Sequence, residues 1–288
     1  MSSEKERILE FISEKIARYG FSGAVIGISG GIDSAVVGKL LTEALGKDRV
    51  YGLLLPERDS STETIADSRL VCKFLGINHS LKPITPLVRK LGVYRMKPPA
   101  GLFPRKWQER YAENIWKSTD TPYINDLKTA GGDKNRRNLA YYRTKHRLRM
   151  VRMYFEAEKR GYAVIGTTNL TEFLTGFYIK WGDDSTDIEP IIHLYKTDVF
   201  TLGRELGIPK KIIEKKPSPD IAPGITDEFA LGMDYKKLDR ILKKLKAEDE
   251  SGIRVTGETD SDINRVKKIL EAAEFRNIRN LNLLWEKA

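Results

Sequence analysis

Within "GISGGIDS", Ser29, Gly30, Gly31, Asp33 and Ser34 follow Gly27 at the junction between an apolar run and an amphipathic one. Small residues let backbone amides close on an anion, hydroxyls add donors, and a helix beginning near Asp33 contributes the positive end of its dipole. A phosphate suits such a nest. The stretch is not a Walker A loop, because no Gly-Lys-Ser/Thr triplet follows, and the G-x-G-x-x-G spacing is absent. Gly27, Ser29 and Gly31 do satisfy G-x-S-x-G, the hydrolase elbow, which also lies between strand and helix. An elbow needs a histidine on a loop. Only His79, His146 and His193 exist, and His193, after "IEPII", is the one placed to serve. The spacing leaves both roles open for Ser29, phosphate ligand or nucleophile.

Either role requires a strand before the loop and a helix after it. "GAVIGI" reads as a buried strand and Ser34 to Leu45 as a helix closed by Gly46. "VYGLLLP" is a second strand, Thr62 to Leu75 a helix stopped by Gly76, and "INHSLKPI" a third strand. Upstream, Ile8, Phe11, Ile12 and Ile16 keep helical spacing from Glu4 to Tyr19. The alternation predicts an α/β fold with right-handed crossovers and an open parallel sheet carrying helices on both faces. Ligands of such sheets gather at the carboxyl ends of the strands. A long helix from about Asn138 to Arg160 precedes a fourth strand, "YAVIGTTN". A helical C-terminal portion follows, with segments at Leu170 to Tyr178, Lys196 to Leu206, Pro209 to Lys215, Tyr235 to Lys246 and Asp260 to Phe275.

From Thr85 to about Arg137 the alternation dissolves among prolines, glycines, tryptophans and basic residues. Residues 93–138 read as a basic insertion or lid within a single domain spanning residues 1–288. Between Arg89 and Arg149 stand 16 lysines and arginines against 5 acids, enough to account for the net charge of +10 carried by the chain. Such a patch favours polyanions, either nucleotides or nucleic acid. Trp107, Tyr111, Trp116 and Tyr123 lie among Arg105, Lys106, Arg110 and Lys117, an arrangement that suits base stacking. Their helical spacing reads more simply as the core of a small lid. No apolar run approaches the roughly 20 residues of a membrane span and the start is charged, so the expectation is a soluble cytoplasmic protein. The single cysteine, Cys72, reads as a small buried hydrophobe, which excludes an intrachain disulfide and a cysteine-rich zinc site.

Read whole, "SGGIDS" resembles the pyrophosphate-binding loop of the N-type ATP pyrophosphatases, which adenylate a substrate and release pyrophosphate. A second stretch, "GTTNLTEFLTGFYIKWGDDSTDIEPIIHLYKTDVFTLGRELGIP", narrows the resemblance to ammonia-dependent NAD synthetase, and "KPSPDIAPGITDEFALGMDYKKLDRIL" continues it to Leu242. The resemblance covers most of residues 1–84 and 147–274. It implies an adenine nucleotide alpha hydrolase-like fold, ATP and Mg2+ as cofactors, deamido-NAD and ammonia as reactants, and a homodimer. By the same resemblance, Gly27, Ser29, Gly30, Gly31 and Ser34 cradle ATP, with Thr167, Lys196 and Ser218 as further contacts. Asp33 and Glu172 hold Mg2+, Asp33 and Lys196 are catalytic, and Arg147, Lys180 and Asp187 bind the dinucleotide. The chemistry is coherent, since an unactivated carboxylate does not react with ammonia and must first become an acyl adenylate. The early start of the matching region makes free ammonia, or ammonia from a separate protein, the expected nitrogen source.

Departures from the family pattern fall at the acceptor end. "YYRTKHRLRM" puts Arg143 where the family carries asparagine, "KWGDD" adds Asp184, and "AAEFRN" puts Phe275 and Arg276 where a His-Lys pair stands. Two alternatives therefore accompany the leading expectation. One is an adenylating ligase or amidotransferase acting on another small carboxylate; the other is a tRNA-modifying ATP pyrophosphatase that uses the basic insertion.

Overall fold

The computed structural model describes residues 3–99, 102–104, 106–107, 110, 122–130, 132–217, 226–251, 257–278 and 280–281. Helices in chain order are α1 (Glu4–Arg18), α2 (Ile32–Leu45), α3 (Thr62–Leu75), α4 (Thr85–Lys90), α5 (Pro122–Leu127) and α6 (Gly132–Glu158). There follow α7 (Leu170–Thr175), α8 (Lys196–Glu205), α9 (Lys210–Ile213), α10 (Asp227–Leu231), α11 (Tyr235–Ser251) and α12 (Asp260–Asn277).

Strands β1 (Gly23–Gly27), β2 (Val50–Leu54), β3 (Asn78–Leu81) and β4 (Tyr162–Ile165) form a parallel sheet in the order β3-β2-β1-β4. Strand alternation assigns the faces. Ala24, Ile26, Ala163 and Ile165 enter a core shared with Ile8, Ile12 and Ile16 of α1 and with apolar residues of α2, α3, α8 and α9. Val25, Leu53 and Val164 enter another, closed by Met150, Met153 and Ala157 of α6. Both faces of the sheet are thus covered, as the alternating elements predict. A further core joins α10, α11 and α12 to Tyr123 and Leu127 of α5.

Helix α6 begins at Gly132, ahead of the expected start near Asn138. Its opening turns are polar, and burial begins only at Leu139, so hydrophobic periodicity could not register them. The stretch from Thr85 where the alternation dissolves holds α4, a short 3-10 turn at Val93–Met96, and α5. Tyr123 is core: it is buried, its ring centroid lies 5.5 Å from that of Phe177, and its hydroxyl donates to Thr175 O at 2.9 Å. Trp107 is exposed, whereas Arg105, Tyr111, Trp116 and Lys117 lie outside the described residues. Helix α7 stops at Thr175, short of the expected Tyr178, because Gly176 turns left-handed at φ +70°. Among the described residues no helix is long and apolar enough to cross a membrane.

Candidate active site

The loop leaving β1 is shaped by close approach. Gly30 has φ +76°, and a Cβ on it would lie 2.7 Å from Asp67 Cβ and 2.8 Å from Ser68 N, so only glycine fits against α3. Gly31 caps α2, whose first turn carries Asp33 and Ser34. The Gly31 amide donates to Ser29 Oγ at 3.2 Å, and Ser34 Oγ, 3.1 Å from Ser29 Oγ, donates to Gly31 O at 3.1 Å. These contacts order two hydroxyls at a helix N-terminus, the arrangement that attracts an anion. Gly27 ends β1, where Met153 Sδ would stand 3.3 Å from a Cβ. The elbow alternative loses its base. His79 Nδ1 lies 3.2 Å from Ile77 O, His146 3.3 Å from Asp183, and His193 2.6 Å from Glu4, and among the described contacts Ser29 meets Ser34 and Gly31 but no histidine.

Opposite the loop, β4 runs into Gly166, half-buried Thr167, buried Thr168, and then Asn169, which caps α7. Asn169 and Glu172 form a capping box: Asn169 Oδ1 accepts from Glu172 N at 3.0 Å, and Glu172 Oε2 accepts from Asn169 N at 3.3 Å. The remaining Asn169 donor reaches across to Asp33 Oδ1 at 3.0 Å. Lys196, only 2% exposed at the start of α8, places its Nζ 2.7 Å from Asp33 Oδ2 and 3.0 Å from Glu172 Oε1. Four residues from three loops are thereby locked together. Burial works against the ammonium, but Asp33 and Glu172 outweigh it and raise the Lys196 pKa. Burial, with the Asp33 and Asp227 charges, pushes Glu172 up to about 8 against the pull of Lys196.

Supporting contacts seat the lysine. Thr171 Oγ1 accepts from Lys196 N at 2.9 Å and donates to Asp239, whose other oxygen accepts from Thr197 N at 2.8 Å. Asp33 and Glu172 converge on one cation, a pair of hard oxygen donors of the kind that could hold Mg2+ with water and phosphate completing the shell. Among the described residues no group of three or more His, Cys, Asp or Glu side chains could hold a metal unaided, so a metal held here would need its remaining ligands from substrate and water. Motif reading missed Asn169, although its N-x-x-E spacing is a capping signature. Asp239 carries no local signal at all.

The acceptor-side residues divide. Arg147 donates to Lys180 O at 3.1 Å and 3.3 Å, and Lys180 Nζ donates to Phe275 O at 3.0 Å while lying 4.1 Å from the Phe275 ring centroid. Asp187 instead accepts from Val164 N at 2.7 Å and Tyr154 Oη at 3.0 Å, which ties it to β4 and α6. Ser218 lies outside the described residues. The unusual segments meet at Asp126 of α5. Arg143 donates to its carbonyl at 2.7 Å, and Arg276 lies 3.6 Å from its carboxylate while donating to Gly176 O at 2.6 Å and Tyr178 O at 2.8 Å. Asp184 turns back on its own loop, accepting from Gly182 N at 3.1 Å. Burial, then the neighbouring Arg143, lowers the Arg147 pKa, and Arg143 Nε is buried without a hydrogen-bond partner. Cations outnumber the acids that serve them here.

Residues 4–100 and 106–279 match the family model described as NAD synthase. The NH(3)-dependent NAD(+) synthetase of Thermotoga maritima is 52% identical over 271 residues, 94% of this chain and 95% of that one. Its namesake from Pyrococcus horikoshii is 36% identical, covering 94% of this chain and 90% of its own length. Among solved structures, NMN synthetase from Francisella tularensis has a TM-score of 0.71 at 25% identity, over 97% of this chain and 96% of that one. The NH3-dependent NAD synthetase of Campylobacter jejuni has a fold likeness of TM-score 0.68 at 24% identity, over 97% of each chain. With a family model matched along nearly its whole length and relatives more than half identical, and with a buried lysine held between two acids beside the loop that leaves β1, this chain belongs to the NAD synthase family.

Proposed function

We propose that the protein activates the carboxylate of deamido-NAD with ATP and transfers ammonia to it, yielding NAD, AMP and pyrophosphate. The observation that carries this reading is the interlocked set of Asp33, Asn169, Glu172 and Lys196, with Asp33 in the first turn after the small-residue loop that leaves β1. Its full-length relatives, named NH(3)-dependent NAD(+) synthetases, support the substrates.

The acceptor carboxylate attacks the α-phosphate, forming an acyl–phosphate bond as the bond to pyrophosphate breaks and charge moves onto the leaving group. The Ser29 and Ser34 hydroxyls and the Gly31 amide, which satisfy one another within the loop, would turn to that charge together with the Gly30 amide, and Lys196 adds a buried cation. Thr167 and Ser218 are proposed as further ATP contacts. Mg2+ on Asp33 and Glu172 would neutralise phosphate charge. Ammonia then adds to the acyl carbon, AMP departs, and the nitrogen loses a proton. Arg147 and Lys180 hold the acceptor's phosphates, and Asp187 offers its remaining lone pairs to the same substrate. A cytoplasmic homodimer belongs to this reading, and exposed Val151 and Phe155, one turn apart on α6, suit self-association.

ATP–pyrophosphate exchange with Mg2+ tests it. Exchange with deamido-NAD, followed by NAD formation on adding ammonia, is expected. The likeness to an NMN synthetase favours a second reading in which the acceptor is the corresponding mononucleotide acid. Exchange with that acid alone would replace the first reading, and exchange that depends on tRNA would overturn both.

A further inference from the structure

Asp67, on α3, is 3% exposed and stands flush against Gly30 of the nest. Two lysines reach it: Lys211 Nζ lies 2.7 Å from Oδ1, and Lys215 Nζ 2.8 Å from Oδ2. Burial opposes ionisation of this carboxyl, but the two lysines outweigh it and hold its pKa below the usual carboxylate range. Both ammoniums share this one buried carboxylate, and among the described residues the only further acid acting on Lys211 is Glu63, on the same helix as Asp67. On the other side of the nest the balance is reversed, because Lys196 alone serves both Asp33 and Glu172. Lys196 is thus buried and committed to two acids, whereas Lys211 and Lys215 share one buried acid and stay partly exposed. Lys211 and Lys215 side chains are 64% and 32% exposed, and their flexible stems allow either ammonium to leave Asp67 while the other stays.

We propose that Lys211 and Lys215, held by Asp67 beside the nest, engage the pyrophosphate as it leaves. This assignment rests on the ATP-dependent adenylation proposed above. Asp67 acts as a positioning residue that keeps both ammoniums at the rim of the loop and prevents their repulsion. Pyrophosphate draws one or both onto itself as its charge develops.

The test uses the whole protein in ATP–pyrophosphate exchange. Lys211→Met with Lys215→Met is expected to raise the KM for pyrophosphate about tenfold, with the KM for the acceptor changed less than about twofold. Lys215→Arg should stay near the unaltered protein. Asp67→Asn is expected to lower the melting temperature while disturbing the pyrophosphate KM less than the double substitution does. A double variant with an unaltered pyrophosphate KM would overturn the assignment. If that variant does not fold, amine-reactive labelling of the unaltered protein decides the matter. Protection of Lys211 and Lys215 by pyrophosphate supports it, and identical labelling with and without pyrophosphate sinks it. Absence of exchange with every acceptor would instead count against the proposed reaction, because the labelling needs no turnover.

Discussion

The nucleotide end and the acceptor end of this molecule are built differently. At the nucleotide end, Asp33, Asn169, Glu172 and Lys196 satisfy one another across loops that the sheet itself brings together. At the acceptor end, Arg143, Arg276, Lys180 and Phe275 are joined by α5, the tail of α12 and a loop, and Arg143 Nε is left without a partner. Under the proposed reaction, the activating chemistry is tied to the core of the fold, whereas recognition of the acceptor is assembled from peripheral segments. The two ends should therefore yield to mutation in different currencies, one in turnover and stability, the other in KM.

Asp33→Asn should produce the largest effect. Exchange is expected to fall more than about 1,000-fold with the circular dichroism spectrum unchanged. Retained exchange would dissolve the contrast at its strongest point. Lys196→Met leaves Asp33 and Glu172 facing each other in a buried site, and an expected loss of about 3–5 kcal/mol should appear in urea unfolding. At the other end, Arg147→Ala should raise the acceptor KM roughly 30-fold and leave the ATP KM within about threefold. Equal effects on both constants would show that the ends are not separable.

Glu189 lies between these regimes. Burial pushes its pKa to about 8 from an ordinary 4.5, and its Oε2 is buried without a hydrogen-bond partner. The folded protein keeps this proton while the unfolded chain releases it, so stability from this group is full below about pH 4.5 and declines as pH rises toward 8. Glu189→Gln should accordingly be on the order of 2 kcal/mol more stable than the unaltered protein at pH 8, with little difference at pH 4, measured by urea unfolding. A gain of the same size at both pH values would refute this. The smallest effect is expected from Phe275→Ala, which removes only the ring face beneath Lys180 and should raise the acceptor KM about threefold.

The nucleotide end was far more legible in the sequence than the acceptor end, for physical reasons. "SGGIDS" stands between a buried strand and an amphipathic helix, and both signals are local. Glu172 and Lys196 came from family resemblance, because nothing in a lone acid or lysine on a helix start marks its reach. Asn169 was visible as a cap, yet its second contact, with Asp33, joins residues 136 apart and leaves no local trace. Asp239 supports Thr171 from 68 residues away in the same silent fashion. At the acceptor end, α5 is one short helix in a stretch without period, so nothing in its composition announced that Asp126 would gather Arg143 and Arg276.

Cys72 sits in the sheet's helical cover, 1% exposed, its thiol pushed up to about 12 by burial. It is the chain's only cysteine, and it shares α3 with Asp67. A buried thiol whose ionisation is this disfavoured reacts far faster when that helix lifts from the sheet. The protein thus contains a natural clock for its own opening: the rate of thiol labelling counts excursions of α3, and slower labelling in pyrophosphate would time how firmly an occupied nest clamps its neighbouring helix.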